Sequence, residues 1–114
     1  MKKPKKKIKE QDLKKLVVEY LNRQGHYVWP TNAGMAFFYD KNGRRSVFRS
    51  GFKGLADVVG MINGGKFLAI ELKVGYNKPS DDQKAFLWKV NEMGGVAFVA
   101  YSLEEVIQIM GDTW

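Results

Sequence analysis

Two acids and a lysine stand in apolar surroundings where their types and spacing could do chemistry: Asp57, Glu71 and Lys73. Glu71 and Lys73 interrupt Phe67, Leu68, Ala69, Ile70, Leu72 and Val74, a run that reads as a buried strand. Side chains alternate faces along a strand, so Glu71 and Lys73 point the same way. Asn63-Gly64-Gly65 reads as the turn of a hairpin between "DVVGMI", 57–62, and "KFLAIELKV", 66–74. Closed symmetrically about Gly64, that hairpin sets Asp57 directly opposite Glu71. Cross-strand partners have Cβ atoms about 4.5–5.5 Å apart. Two carboxylates that close repel unless a cation lies between them or a proton is shared. A divalent metal resolves the conflict, and Lys73 then reaches a water or phosphate oxygen beside it. Phosphodiester hydrolysis needs these parts: an activated water, charge neutralisation on phosphorus and a stabilised leaving oxygen. Each motif alone has a plainer reading, since Glu-x-Lys often patterns a solvated strand face and Asp57 could cap the turn at Gly54. Their coincidence favours a site: Asp57 faces Glu71, both lie in apolar strands, and the turn "GFKGLA" delivers Asp57 to the sheet.

Composition narrows the metal. The 114 residues include no cysteine and one histidine, His26. Disulfides, thiol catalysis, cysteine zinc sites and multi-histidine centres are excluded. A metal must then sit on carboxylates, which suits a hard ion such as Mg²⁺ or Mn²⁺. No apolar run approaches the roughly 18 residues of a membrane span, and no apolar stretch follows the basic start as in a secretory signal. The length and a hydrophobic fraction of 45% suit one folded core. Net charge is +7, and residues 1–9 carry six lysines with no acid, leaving 13 basic residues against 12 acidic ones. Residues 1–8 thus read as a basic flexible arm before a domain over 9–114. The arm either solubilises the chain or touches phosphates, and the two roles are compatible.

The positioning elements follow from periodicity. A helix is expected over 9–24, with Leu13, Leu16, Val17, Tyr20 and Leu21 three and four apart and Gly25 as its stop. "HYVWPTN", 26–32, reads as a strand. "MAFFYD" and "RSVFRS" around Lys41-Asn42-Gly43 read as a hairpin. After the loop "GYNKP", Ser80 is a candidate N-cap, with Gln83 completing a capping box. That helix stops at Gly94-Gly95. "VAFVAYS" is a strand and "LEEVIQIM" a last helix. The order predicts an α/β domain with one central mixed sheet flanked by helices.

Two further residues have double readings. Glu10 lies three before Leu13 and seven before Val17, which extends the buried stripe of the first helix, while Glu19 turns to the opposite face. Glu10 either joins the site or complements the helix dipole. Gln83 is either a capping residue or a site-lining amide.

In their order, these pieces resemble the PD-(D/E)xK nuclease superfamily, and within it the virus-type replication-repair nuclease (VRR-NUC) domain. The resemblance rests on Glu10, Gly54-Leu55-Ala56-Asp57, Glu71-Leu72-Lys73, and Ser80 with Gln83, and spans nearly all the chain after the arm. Ala56 stands where the superfamily's name has proline. The resemblance implies a restriction-endonuclease-like α/β core and Mg²⁺- or Mn²⁺-dependent cleavage of DNA. It makes Asp57, Glu71 and the Leu72 carbonyl metal ligands, Lys73 the catalytic lysine, Glu10 an outer or second-metal carboxylate, and Gln83 a site residue. Stand-alone members look like phage or bacterial proteins, which implies work in the cytoplasm. The fold is shared with archaeal-type Holliday junction resolvases, so branched DNA, above all a four-way junction, is the expected substrate. A flap or restriction-type nuclease, and a non-catalytic nucleic-acid-binding domain, are the alternatives. A junction has two strands to cut, which implies a homodimer. Phe37, Phe38, Tyr39 and Phe48 of the first hairpin are its candidate interface, or else simply complete the core.

Overall fold

The computed structural model describes residues 8–31, 35–49 and 52–113. The first helix, α1 (Glu10–Arg23), buries Leu13, Val17 and Leu21, one residue per turn. Glu10 and Asp12 in its first turn and Arg23 in its last complement the helix dipole. The chain then turns through Gly25 into β1 (Tyr27–Pro30). Leu16, expected in the buried stripe, is 42% exposed. The buried strip is narrower than the apolar one.

β2 (Met35–Tyr39) and β3 (Arg45–Arg49) form the expected hairpin around Lys41-Asn42-Gly43. Its turn is closed by Asp40, whose Oδ1 accepts from the N–H groups of Asn42 and Arg44. This pair forms a separate two-stranded sheet, so the expectation of one sheet is corrected. The side chains of Phe37, Phe38 and Phe48 lie outside the described residues, as does the arm through Lys7; Tyr39 is exposed.

The central sheet has four strands in the order β1-β4-β5-β6. β4 (Val58–Met61) and β5 (Phe67–Leu72) pair antiparallel with Val58 opposite Ile70 and Met61 opposite Phe67. That is the register expected from a turn centred on Gly64. β1 pairs antiparallel with β4, so closely that a Cβ on Gly60 would strike the Tyr27 carbonyl. β5 passes through α2 (Asp81–Glu92) to β6 (Val96–Ala100), which pairs parallel with β5. α3 (Leu103–Thr113) ends the order. Asn22 near the end of α1 and Asn91 near the end of α2 each bond both backbone groups of a residue in the following strand, Val28 and Ala97.

The sheet separates two cores. Leu68, Ile70 and Leu72 of β5 pack with Leu13, Val17 and Leu21 of α1 and with Val106 and Met110 of α3. Ala69 joins Ala56, Val59, Leu87 and Ala97 on the other face, under α2. Alternation puts Glu71 on this second face. Among the described residues, no helix is long and apolar enough to cross a membrane.

Candidate active site

The strand ends of the α2 face gather four of the predicted residues. The β4–β5 ladder closes at Val58 and Ile70, and Asp57 and Glu71 are the next pair outward. Asp57 Oδ2 accepts from the Leu72 N–H at 2.9 Å, so its carboxylate bridges the end of the hairpin. A residue's N–H and C=O leave a strand on the same side. The Leu72 carbonyl therefore leaves β5 toward Asp57, while the Lys73 N–H goes to Ala100 of β6.

Glu71 is 1% exposed. Its Oε1 lies 3.5 Å from Lys73 Nζ and accepts from Gln83 Nε2 at 3.1 Å. Its Oε2 is buried and has no hydrogen-bond partner among the described residues. Burial pushes the Glu71 carboxyl up to about 8; the neighbouring Asp57 carboxyl pushes the same way, and Lys73 opposes both. A buried carboxylate oxygen without a donor is costly in a folded protein.

Gln83 caps α2 and also bonds Glu71. Its Oε1 accepts from the Ser80 N–H, and the Ser80 hydroxyl accepts from the Gln83 N–H, which makes the capping box of α2. Its Nε2 is thereby aimed at Glu71. The helix cap and the site share one side chain. Gly54 fixes the same neighbourhood from the other direction. It has φ +79°, and a Cβ there would strike the Asp82 carbonyl in the first turn of α2. Glycine alone lets the turn before Asp57 lie against that helix end.

Glu10 is not part of this cluster. Among the described residues, no three His, Cys, Asp or Glu side chains form a group that could hold a metal ion. α1, which carries Glu10, buries Leu13, Val17 and Leu21 among the aliphatic side chains of the other face of β5. The oxygens available together are those of two carboxylates and a backbone carbonyl. They are hard donors, and one of them, Glu71 Oε2, lacks a partner, a set that suits Mg²⁺ or Mn²⁺.

Thr31 is a positioning residue to which the sequence alone assigns no role. Its N–H donates to the Asp57 carbonyl at 2.8 Å, and its hydroxyl to the Ala56 carbonyl at 2.5 Å. Lys14 Nζ of α1 in turn donates to the Thr31 carbonyl at 3.3 Å. The register of β1 on β4, Pro30 opposite Val58, carries one step further to Thr31 opposite Asp57. Only that pairing could have signalled the role.

No protein-family model matches the chain, and no curated protein matches it.

Proposed function

We propose that this chain is a metal-dependent DNA endonuclease of the VRR-NUC type with a restriction-endonuclease-like core. The observation that supports this most is Glu71: a buried carboxylate beside Asp57, held by Lys73 and Gln83, with one oxygen left without a partner. A domain that only binds nucleic acid gains nothing from setting two acids against a phosphate.

Asp57, Glu71 and the Leu72 carbonyl would hold a Mg²⁺ or Mn²⁺ ion. Such an ion, when bound, supplies Lewis acidity at the phosphate and a more acidic water. The chain's own residues do the rest. Lys73 balances phosphate charge and takes or orients a proton of the attacking water. Gln83 holds Glu71 Oε1 in place, and Thr31 fixes the backbone that carries Asp57.

The substrate reading is a four-way DNA junction, with the chain acting as a Holliday junction resolvase in the cytoplasm of a bacterium or a phage-infected cell. One site per chain makes one cut, so coordinated resolution requires a two-fold homodimer. The test is cleavage of four-way junctions, flaps and linear duplexes with magnesium, with manganese and without metal, alongside solution mass by light scattering. The expected result is metal-dependent cutting of the junction by a dimer. A strict monomer that cuts flaps and spares junctions overturns the resolvase reading. Failure to cut any of these DNAs with either metal overturns the nuclease reading.

A further inference from the structure

Beside the Lys73 end of β5 lies a cleft of about 470 Å³, lined by Ile8, Val74, Gly75, Tyr76, Asn77 and Tyr101. Two of its six lining residues are tyrosines, and they come from different elements. Tyr101 follows β6 directly, and the Lys73 N–H donates to the neighbouring Ala100 carbonyl at 3.1 Å. The cleft therefore adjoins the Lys73 backbone at the end of β5, with Val74 on the α1 and α3 side of the sheet and the Lys73 side chain turned to Glu71 on the other. Tyr76 sits in the turn after β5, where Gly75 has φ +61° and the Asn77 N–H donates to the Val74 carbonyl. Its side chain is 98% exposed, the most of any large apolar residue described. The ring contributes almost nothing to the core, so packing does not account for it.

We infer that this cleft receives an unpaired nucleobase of the DNA, stacked on the Tyr76 ring at the end of β5 that also carries Lys73. The inference rests on the proposal that the chain acts on DNA, and it deepens that proposal by naming what the site selects. Every base has a π-face, and stacking on an exposed aromatic ring is a sequence-tolerant way to hold one. A base inside a duplex is already stacked, so only a base freed at a branch, gap or bulge reaches the ring without an unstacking cost. Asn77 adds an amide able to bond a base edge.

The charges around the cleft suit a polyanion. Lys9 and Lys78 are exposed on the segments that carry Ile8 and Asn77. A strand drawn to these lysines by its phosphates is held along the cleft.

The test measures binding without metal, so that it does not depend on cleavage. Two fluorescently labelled DNAs are compared, a fully paired duplex and the same duplex with one unpaired 2-aminopurine. The wild-type chain should prefer the second DNA and quench its 2-aminopurine fluorescence. Tyr76→Ala should weaken binding to that DNA about tenfold, the low range for removal of one base–aromatic stack. It should abolish the quenching and leave affinity for the paired duplex within about twofold. Tyr76→Phe, which keeps the ring, should behave as wild type. The exposure of Tyr76 means that Tyr76→Ala should melt as wild type does. Equal affinity of wild type and Tyr76→Ala for the unpaired DNA, or absence of quenching by the wild type, overturns the inference. A chain that binds and quenches but never cuts with magnesium or manganese leaves the inference standing and sinks the nuclease proposal.

Discussion

Along β5, Leu68, Ile70 and Leu72 face α1 and α3 and are completely buried among aliphatic side chains. The intervening residues face α2, where Ala69 is packed against Leu87 and Glu71 is buried beside Asp57, Lys73 and Gln83. One strand thus serves two purposes on alternate residues. Its even-numbered positions stabilise the fold through apolar burial. At Glu71 the other face keeps a buried acid whose Oε2 has no partner among the described residues, an arrangement that costs stability and that the proposed cation would relieve. The contrast teaches that neighbouring substitutions should have opposite consequences.

The largest expected effect is on chemistry. Glu71→Ala or Asp57→Ala should lower DNA cleavage by at least about a hundredfold, while far-UV circular dichroism and DNA affinity stay close to wild type. Cleavage at the wild-type rate by Asp57→Ala would place the chemistry elsewhere. Ile70→Ala, one residue from Glu71 on the opposite face, should instead lose about 2–5 kcal/mol in urea unfolding. If Ile70→Ala unfolded like wild type while Glu71→Ala collapsed, the division between the faces would be wrong.

A pH series sharpens the same contrast. Unfolded, Glu71 titrates near its ordinary value of 4.5; folded, it holds its proton up to about 8. Between those values the folded state binds more protons, so Glu71 makes metal-free stability fall as pH rises through this window. The slope of Tm against pH should therefore be flatter for Glu71→Gln, and the variant should gain on wild type toward pH 8. Parallel curves would mean that Glu71 is not held protonated by its surroundings.

Much of this site was legible in the sequence because it is built from local structure. Asn63-Gly64-Gly65 sets the β4–β5 register, and the register alone brings Asp57 beside Glu71. Ser80 and Gln83 announce their capping box from three residues apart. Non-local pairings were not legible. Nothing near Thr31 says that β1 lies on β4, so its hold on Asp57 stayed hidden. The "KNG" turn marks the β2–β3 hairpin without saying which sheet it joins. Helical rotation separates a half-buried Glu10 from an exposed Glu19, but periodicity describes a helix's own faces and not the side of the sheet on which it packs.

Smaller effects follow from the remaining regions. Deleting residues 1–7 removes five lysines, and should flatten the dependence of log affinity on log salt by up to about 0.9 for each phosphate that the arm neutralises. An unchanged slope would mean that the arm does not touch DNA. Glu10→Gln separates the two readings of that residue: a loss of cleavage with Glu19→Gln unchanged places Glu10 in the site, and unchanged cleavage leaves it as a complement of the helix dipole.

The central claim is that Asp57 and Glu71 together hold a divalent cation, and thermal unfolding with added manganese tests it most directly. A cation bound only by the folded chain stabilises it by mass action, and one held as proposed would also relieve two crowded carboxylates. The Tm of wild type should rise with manganese concentration at pH 8, and those of Asp57→Ala and Glu71→Gln should not, while Lys73→Ala, which removes no ligand, should respond as wild type does. Equal rises in wild type and Glu71→Gln, or no rise in wild type, would contradict the claim.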